Sequence, residues 1–162
     1  KIMRSRRGFA VLVLTGMIVA VMAVAGSHFN AKGGGSTAPS VEGSWEVTVM
    51  PDGGDPIVDF ATLTSGGGIV NSDPDPNLST GHGTWVRTGG DQFATTFVHF
   101  LSGGGAPLGT IKVRAVIQLD RATDTFSGPF HTDVIIGGNV VQSFCGTVQA
   151  KRISVEPIEP CP

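Results

Sequence analysis

His131 and Asp133 stand two residues apart in a β-rich run, so their side chains share one face. An imidazole beside a carboxylate is the pairing of a general base with the group that orients it. If Gly137-Gly138 joins two strands through a loop of even length, His131, Asp133 and Ile135 align with Val140, Gln142 and Phe144. Phe130, Thr132 and Val134 then align with Val141, Ser143 and Cys145. Turned inward, His131 and Asp133 are catalytic candidates. Turned outward they are solvated residues, and apolar groups on both faces favour that second reading.

A second constellation flanks Gly89-Gly90. With those glycines as a two-residue loop, His82 falls opposite Phe97 and diagonal to His99, alongside Phe93 and Val86. Two imidazoles so placed still lack the third and fourth ligands that a metal centre needs, so packing beside Phe is the favoured role and no metal or other cofactor is expected. In the run 108–119, Ile111, Val113, Ala115, Ile117 and Leu119 alternate with Lys112, Arg114 and Gln118. The apolar set should face inward and the cations water. The segment 71–77, NSDPDPN, carries carboxylates and amides without the ligand spacing of a calcium loop and reads as a solvated loop. No G-x-S-x-G elbow and no phosphate-binding glycine loop are present.

Cys145 and Cys161 are the two cysteines of the chain. No CxxC pair or adjacent His cluster marks a zinc or redox site, so the expectation is a disulfide that staples the tail. Such a bond needs an oxidising compartment. Lys1, Arg4, Arg6 and Arg7 precede the charge-free apolar run 9–25, which ends in Ala23-Val24-Ala25. This pattern is that of an export signal cleaved before Gly26, or of a membrane anchor if uncleaved. Ser5-Arg6-Arg7-Gly8-Phe9 resembles in part a twin-arginine signal. The expected location is secreted or periplasmic.

Those cations conceal the character of the remainder. The 162-residue chain has a formal charge of −2, but beyond residue 25 it holds 7 basic against 13 acidic residues. That balance argues against nucleic acid and anionic lipid as partners. Residues 26–42, GSHFNAKGGGSTAPSVE, have linker composition, and 153–162, with Pro157, Pro160 and Pro162, form an extended tail lying across the domain.

Between them lie eight β-rich runs near 43–50, 57–64, 67–72, 82–88, 91–101, 108–119, 124–136 and 139–152. Short links force antiparallel neighbours and leave no room for crossover helices. The expected fold is all-β, an eight-stranded antiparallel up-and-down β-barrel over residues 43–152, with a β-sandwich as the alternative.

The first run opens Gly43-Ser44-Trp45, and here the chain resembles the lipocalin and wider calycin families. In them a G-x-W motif starts the first strand, and its Trp plugs the closed end beneath an Arg of the last strand. The resemblance implies structural roles for Trp45 and Arg152, with Thr123-Asp124 in place of a T-D-Y motif whose Tyr is Thr125 here. It implies a binder of some small ligand, and the leading expectation is an exported monomer that binds a small, mostly apolar molecule. Candidate ligand-binding residues are Phe93, Phe97, His82, His99, Phe130, Phe144 and Gln142. A barrel enzyme of isomerase or cyclase type and a filled structural or interaction module are the alternatives. An outer-membrane barrel is disfavoured by the absence of Tyr and the presence of only two Trp for its aromatic girdles.

Overall fold

Strands that alternate apolar and polar residues need one dry face, and eight of them obtain it by closing on themselves. The structure is a computed structural model that describes residues 40–161. The expected export segment, 1–25, and positions 26–39 of the expected linker lie outside the described residues.

The strands are β1 (Gly43–Pro51), β2 (Ile57–Leu63), β3 (Gly68–Ser72), β4 (Gly81–Gly89), β5 (Gln92–Gly103), β6 (Ala106–Asp120), β7 (Thr125–Ile136) and β8 (Asn139–Arg152). Each pairs antiparallel with the next, and β8 returns to β1 through seven residue pairs, giving one closed up-and-down barrel and not a sandwich. The β6 alternation turns as expected: Ile117 and Leu119 are buried in the core, Val113 and Ala115 pack against it, and Arg114 is exposed.

Two hairpins depart from the simple register. Between β4 and β5 the pairing shifts between Arg87 and Gly89, leaving Thr88 as an extra residue, and His82 pairs with Val98 instead of Phe97. Between β7 and β8, Ile136 pairs with Asn139 and Ile135 with Val140, but Val134 pairs with Gln142, so Val141 is extra. A bulge of one residue reverses the facing of everything beyond it on that strand. His131 therefore lies opposite Cys145, and Phe130, Thr132 and Val134 share a face with Gly146, Phe144 and Gln142. Both face assignments expected from even loops are corrected by these bulges.

The dry interior is densest at one end. Trp45 is fully buried, donates its indole N–H to the Val41 carbonyl at 2.9 Å, and packs on Phe126 with ring centroids 4.8 Å apart. The Arg152 guanidinium lies over the indole, 4.1 Å from its centroid. It also donates to the Ser40 carbonyl at 2.8 Å, to the Glu42 carbonyl, and through Nε to Asp124 at 2.7 Å. Residues 40–42, expected as the end of a linker, thus belong to the plug: Val41 is fully buried. Asp124 has φ of 52°, a left-handed conformation that a short polar side chain tolerates, and this sets its carboxylate toward Arg152.

Two other expectations are corrected. After Ile153, whose N–H donates to the Ser44 carbonyl, Val155 and Ile158 are fully exposed, so the tail leaves the barrel without lying across it. Cys145 and Cys161 are both free and exposed. No staple forms, because the tail departs from the Arg152 end of β8 while Cys145 sits seven residues back along that strand, engaged with His131.

Arg152→Ala should lower stability by about 2–3 kcal/mol, because it strips two half-buried carbonyls of their donor and the indole of its cation. Arg152→Lys should restore less than half, since an ammonium cannot serve all these acceptors from one plane. Urea unfolding of the three proteins measures both; equal stability of Arg152→Ala and the parent would refute the plug's contribution.

Candidate functional site

Ala61 and Ala115 are among the inward side chains, and the interior is not filled throughout. A cavity of about 420 Å³ results. That volume lies within the range of roughly 300–1,000 Å³ typical of small-molecule sites. Its wall is mainly aliphatic and aromatic, with Val47, Val113, Ile117, Phe97 and Phe130 among the contributors, and Asp73, Asp75 and Leu78 join it from the loop after β3.

Within this wall lies a buried polar pair. Asp59 on β2 and Asn71 on β3 are both buried, at 5% and 3% exposure. Asn71 Nδ2 donates to Asp59 Oδ2 at 2.7 Å, and the Phe60 amide donates to Asp59 Oδ1 at 2.6 Å. Asn71 Oδ1 is buried without a partner. A carbonyl oxygen left so in an apolar wall is an acceptor awaiting a donor. Burial pushes the Asp59 carboxyl up to about 6, against the opposing effect of the Asn71 and Phe60 hydrogen bonds, and the Asp73 carboxylate raises it further.

His99, on β5, is 2% exposed and lines the same cavity. Its Nδ1 lies 2.7 Å from the Ser79 carbonyl, which only accepts, so Nδ1 carries a proton. The ring stands edge-on to Phe97, with centroids 5.5 Å apart. It fits because residue 81 is glycine: a Cβ there would come within 2.7 Å of the imidazole. Among the described residues no Lys or Arg lines the cavity, and three of its polar groups are the carboxyls of Asp59, Asp73 and Asp75.

The candidates from sequence divide between the two surfaces. Phe97, His99, Phe130 and Phe144 line the cavity. Phe93 is fully buried below it, edge-on to Trp85 and under the Arg87 guanidinium. Gln142 occupies an inward position of the ladder, opposite Val134, but is exposed and outside the cavity wall. His82, His131 and Asp133 are on the outer face, so His82 and His99 do not meet and the His131–Asp133 pair is no part of the cavity. Asp59 and Asn71 were missed. Asp59 carried a legible signal, a carboxylate alternating with Ile57, Ala61 and Leu63, and Asn71 follows Ile69 at the same two-residue step. Among the described residues no three His, Cys, Asp or Glu side chains are grouped to hold a metal ion.

Comparison with known proteins brings no relative: no family model matches the chain, and no curated protein and no solved structure matches it.

Asp59 makes a signed prediction. The folded protein holds this proton between the ordinary carboxyl value of 3.8 and about 6, while the unfolded chain releases it. Stability therefore falls as pH rises through that window, by on the order of 2–3 kcal/mol in total. Asp133 is held well below the usual carboxylate range, chiefly by the Ser143 hydrogen bond and then by His131 and Arg114. Its stabilisation is present above pH 3.8 and lost as pH falls below, so the two windows do not overlap. Urea unfolding from pH 4 to 8 should show Asp59→Asn more stable than the parent at pH 7 by about 1–2 kcal/mol and with a flatter pH dependence. A variant less stable at pH 7, with the slope unchanged, would contradict the assignment.

Proposed function

We propose that this barrel binds a small, mostly apolar molecule bearing one hydrogen-bond donor, an amine or a hydroxyl. The ligand's apolar body fills the cavity and its donor meets Asp59 and Asn71. The observation that carries this reading is the unpartnered Asn71 Oδ1 beside a buried carboxylate in a mainly apolar wall. A purely structural role gives no reason to maintain an open cavity with an orphaned acceptor, because a filled aliphatic core would be more stable. The sign of the site selects the ligand: acids and acceptors without a lining Lys or Arg disfavour carboxylates and favour donors.

The finer reading is a calycin-type barrel. It is supported by G-x-W at the head of β1, by Trp45 beneath Arg152, and by the single closed up-and-down sheet. The ligand is met after export, on the evidence of the cationic and apolar N-terminal pattern. Lys112 and Arg114 on the outer face of β6 are out of keeping with an apolar lipid-facing band.

One observation favours a second reading, a barrel isomerase or cyclase. A carboxyl pushed up to about 6 gains and loses a proton near neutral pH, which suits an acid–base catalyst. In that reading Asp59 replaces His131 and Asp133 as the candidate group.

Native mass spectrometry of the protein and a thermal-shift screen of long-chain amines, alcohols and hydrocarbons test the binding reading. Amines and alcohols should raise the melting temperature, and Asp59→Asn should weaken a bound amine by roughly ten- to a hundredfold, the range of a charge-assisted hydrogen bond. Ala115→Phe, which fills the cavity, should abolish binding of every member. Shifts absent across the panel would overturn the proposal. A ligand recovered from deuterated water separates the readings: deuterium at a carbon with the parent but not with Asp59→Asn indicates catalysis, and its absence indicates binding alone.

A further inference from the structure

The bulge at Val141 assembles a second polar constellation on the outer wall. Cys145, His131 and Arg114 occupy one row across β8, β7 and β6, and Ser143, Asp133 and Lys112 occupy the next outward-facing row. Cys145 Sγ lies 3.6 Å from His131 Nδ1, and His131 Nε2 lies 2.8 Å from Asp133 Oδ1. A carboxylate only accepts, so Nε2 carries the ring proton and the neutral imidazole presents Nδ1 as a base to the thiol. Asp133 is itself fixed: Ser143 Oγ donates to Oδ1 at 2.7 Å, and both Arg114 Nη groups donate to Oδ2 at 2.9 Å. The Asp133 side chain is 10% exposed and that of His131 46%, and Cys145 is exposed, so the base is held from behind while the sulfur faces solvent.

We infer that Cys145 is a reactive thiol that exchanges with low-molecular-weight disulfides, with His131 as its base and Asp133 as the positioning residue. The Cys145 S–H proton passes to His131 Nδ1, and the thiolate attacks one sulfur of R–S–S–R′. A bond forms between Sγ and that sulfur as the S–S bond breaks, and R′–S⁻ leaves and regains the proton from His131. The incoming disulfide is the oxidant, so the step balances without another reagent. Acyl transfer needs, in addition, the preorganised donors of an oxyanion hole. Sulfur exchange needs no such donor. Arg114 and Lys112 of β6 place cations in the two outer rows around the thiol. Asp133 of β7 and Asp52, whose amide donates to the Cys145 carbonyl, place carboxylates on the other side of the balance.

Cys161 in the tail is the internal reference. Cys161→Ser leaves Cys145 as the one thiol, and Cys145→Ser leaves Cys161. Dithiodipyridine, followed by the absorbance of the released thiopyridone, and glutathione disulfide, followed by the mass of the protein adduct, are the probes. In the folded chain Cys145 should react at least about tenfold faster than Cys161, and the two rates should converge in concentrated denaturant. His131→Asn in the Cys161→Ser background should bring Cys145 to the Cys161 rate. Equal rates for the two thiols in the folded protein would overturn the inference without requiring any variant of His131. An unchanged Cys145 rate in folded His131→Asn would do so as well.

Discussion

The seven-pair ladder between β1 and β8 is the constraint on which the rest of the molecule depends. Once the sheet closes, every strand residue lies inside or outside, and the two populations meet only at the ends. At the closed end, Trp45 and Arg152 are partners in that same ladder, so the pairing that shuts the barrel also sets the guanidinium over the indole. The seam and the plug therefore stabilise one another. Apolar burial holds Trp45, hydrogen bonds hold Arg152, and residues 40–42 supply two of the carbonyls that Arg152 requires.

The readable parts of this architecture were local. Strand boundaries followed from alternation and from glycine turns, and the inward set of β6 was evident because five apolar residues occur at every second position with cations between them. Trp45 and Arg152 were legible through their motif and their spacing from the strand ends. The two bulges were not. Thr88 and Val141 carry no glycine or proline to mark an extra residue, and a bulge answers the twist that closure demands of the whole sheet, which no single hairpin records. Those two residues separate His82 from His99, and His131 and Asp133 from Phe144, onto opposite surfaces of the wall. Asn71 was obscured differently: its neighbours Ser72, Asp73 and Pro74 have turn composition, yet its side chain faces the cavity as the strand ends.

Inside the barrel, the interaction that lowers stability is the one that gives the cavity chemical character. Asp59 is buried against aliphatic groups with two hydrogen bonds, and burial still dominates its proton affinity. Replacing Asp59 and Asn71 with an apolar pair would satisfy packing and remove the orphaned acceptor. Retention of a costly polar pair in a site that can admit a ligand is the pattern expected when local consistency yields to function.

The outer wall solves a similar electrostatic problem by different means. Asp133 has a hydroxyl, an imidazole and a guanidinium as neighbours, so its charge is favoured where burial opposes that of Asp59. Two carboxylates in one sheet are thus driven in opposite directions by the face each occupies. Asp59, buried in the cavity wall, retains a proton within reach of neutral pH. Asp133 remains an anion that orients His131 toward a solvent-facing thiol. The Val141 bulge links these outcomes, since the same one-residue shift turns Phe144 into the cavity and sets Cys145 beside His131. Register, more than composition, separates the apolar chemistry within from the sulfur chemistry outside.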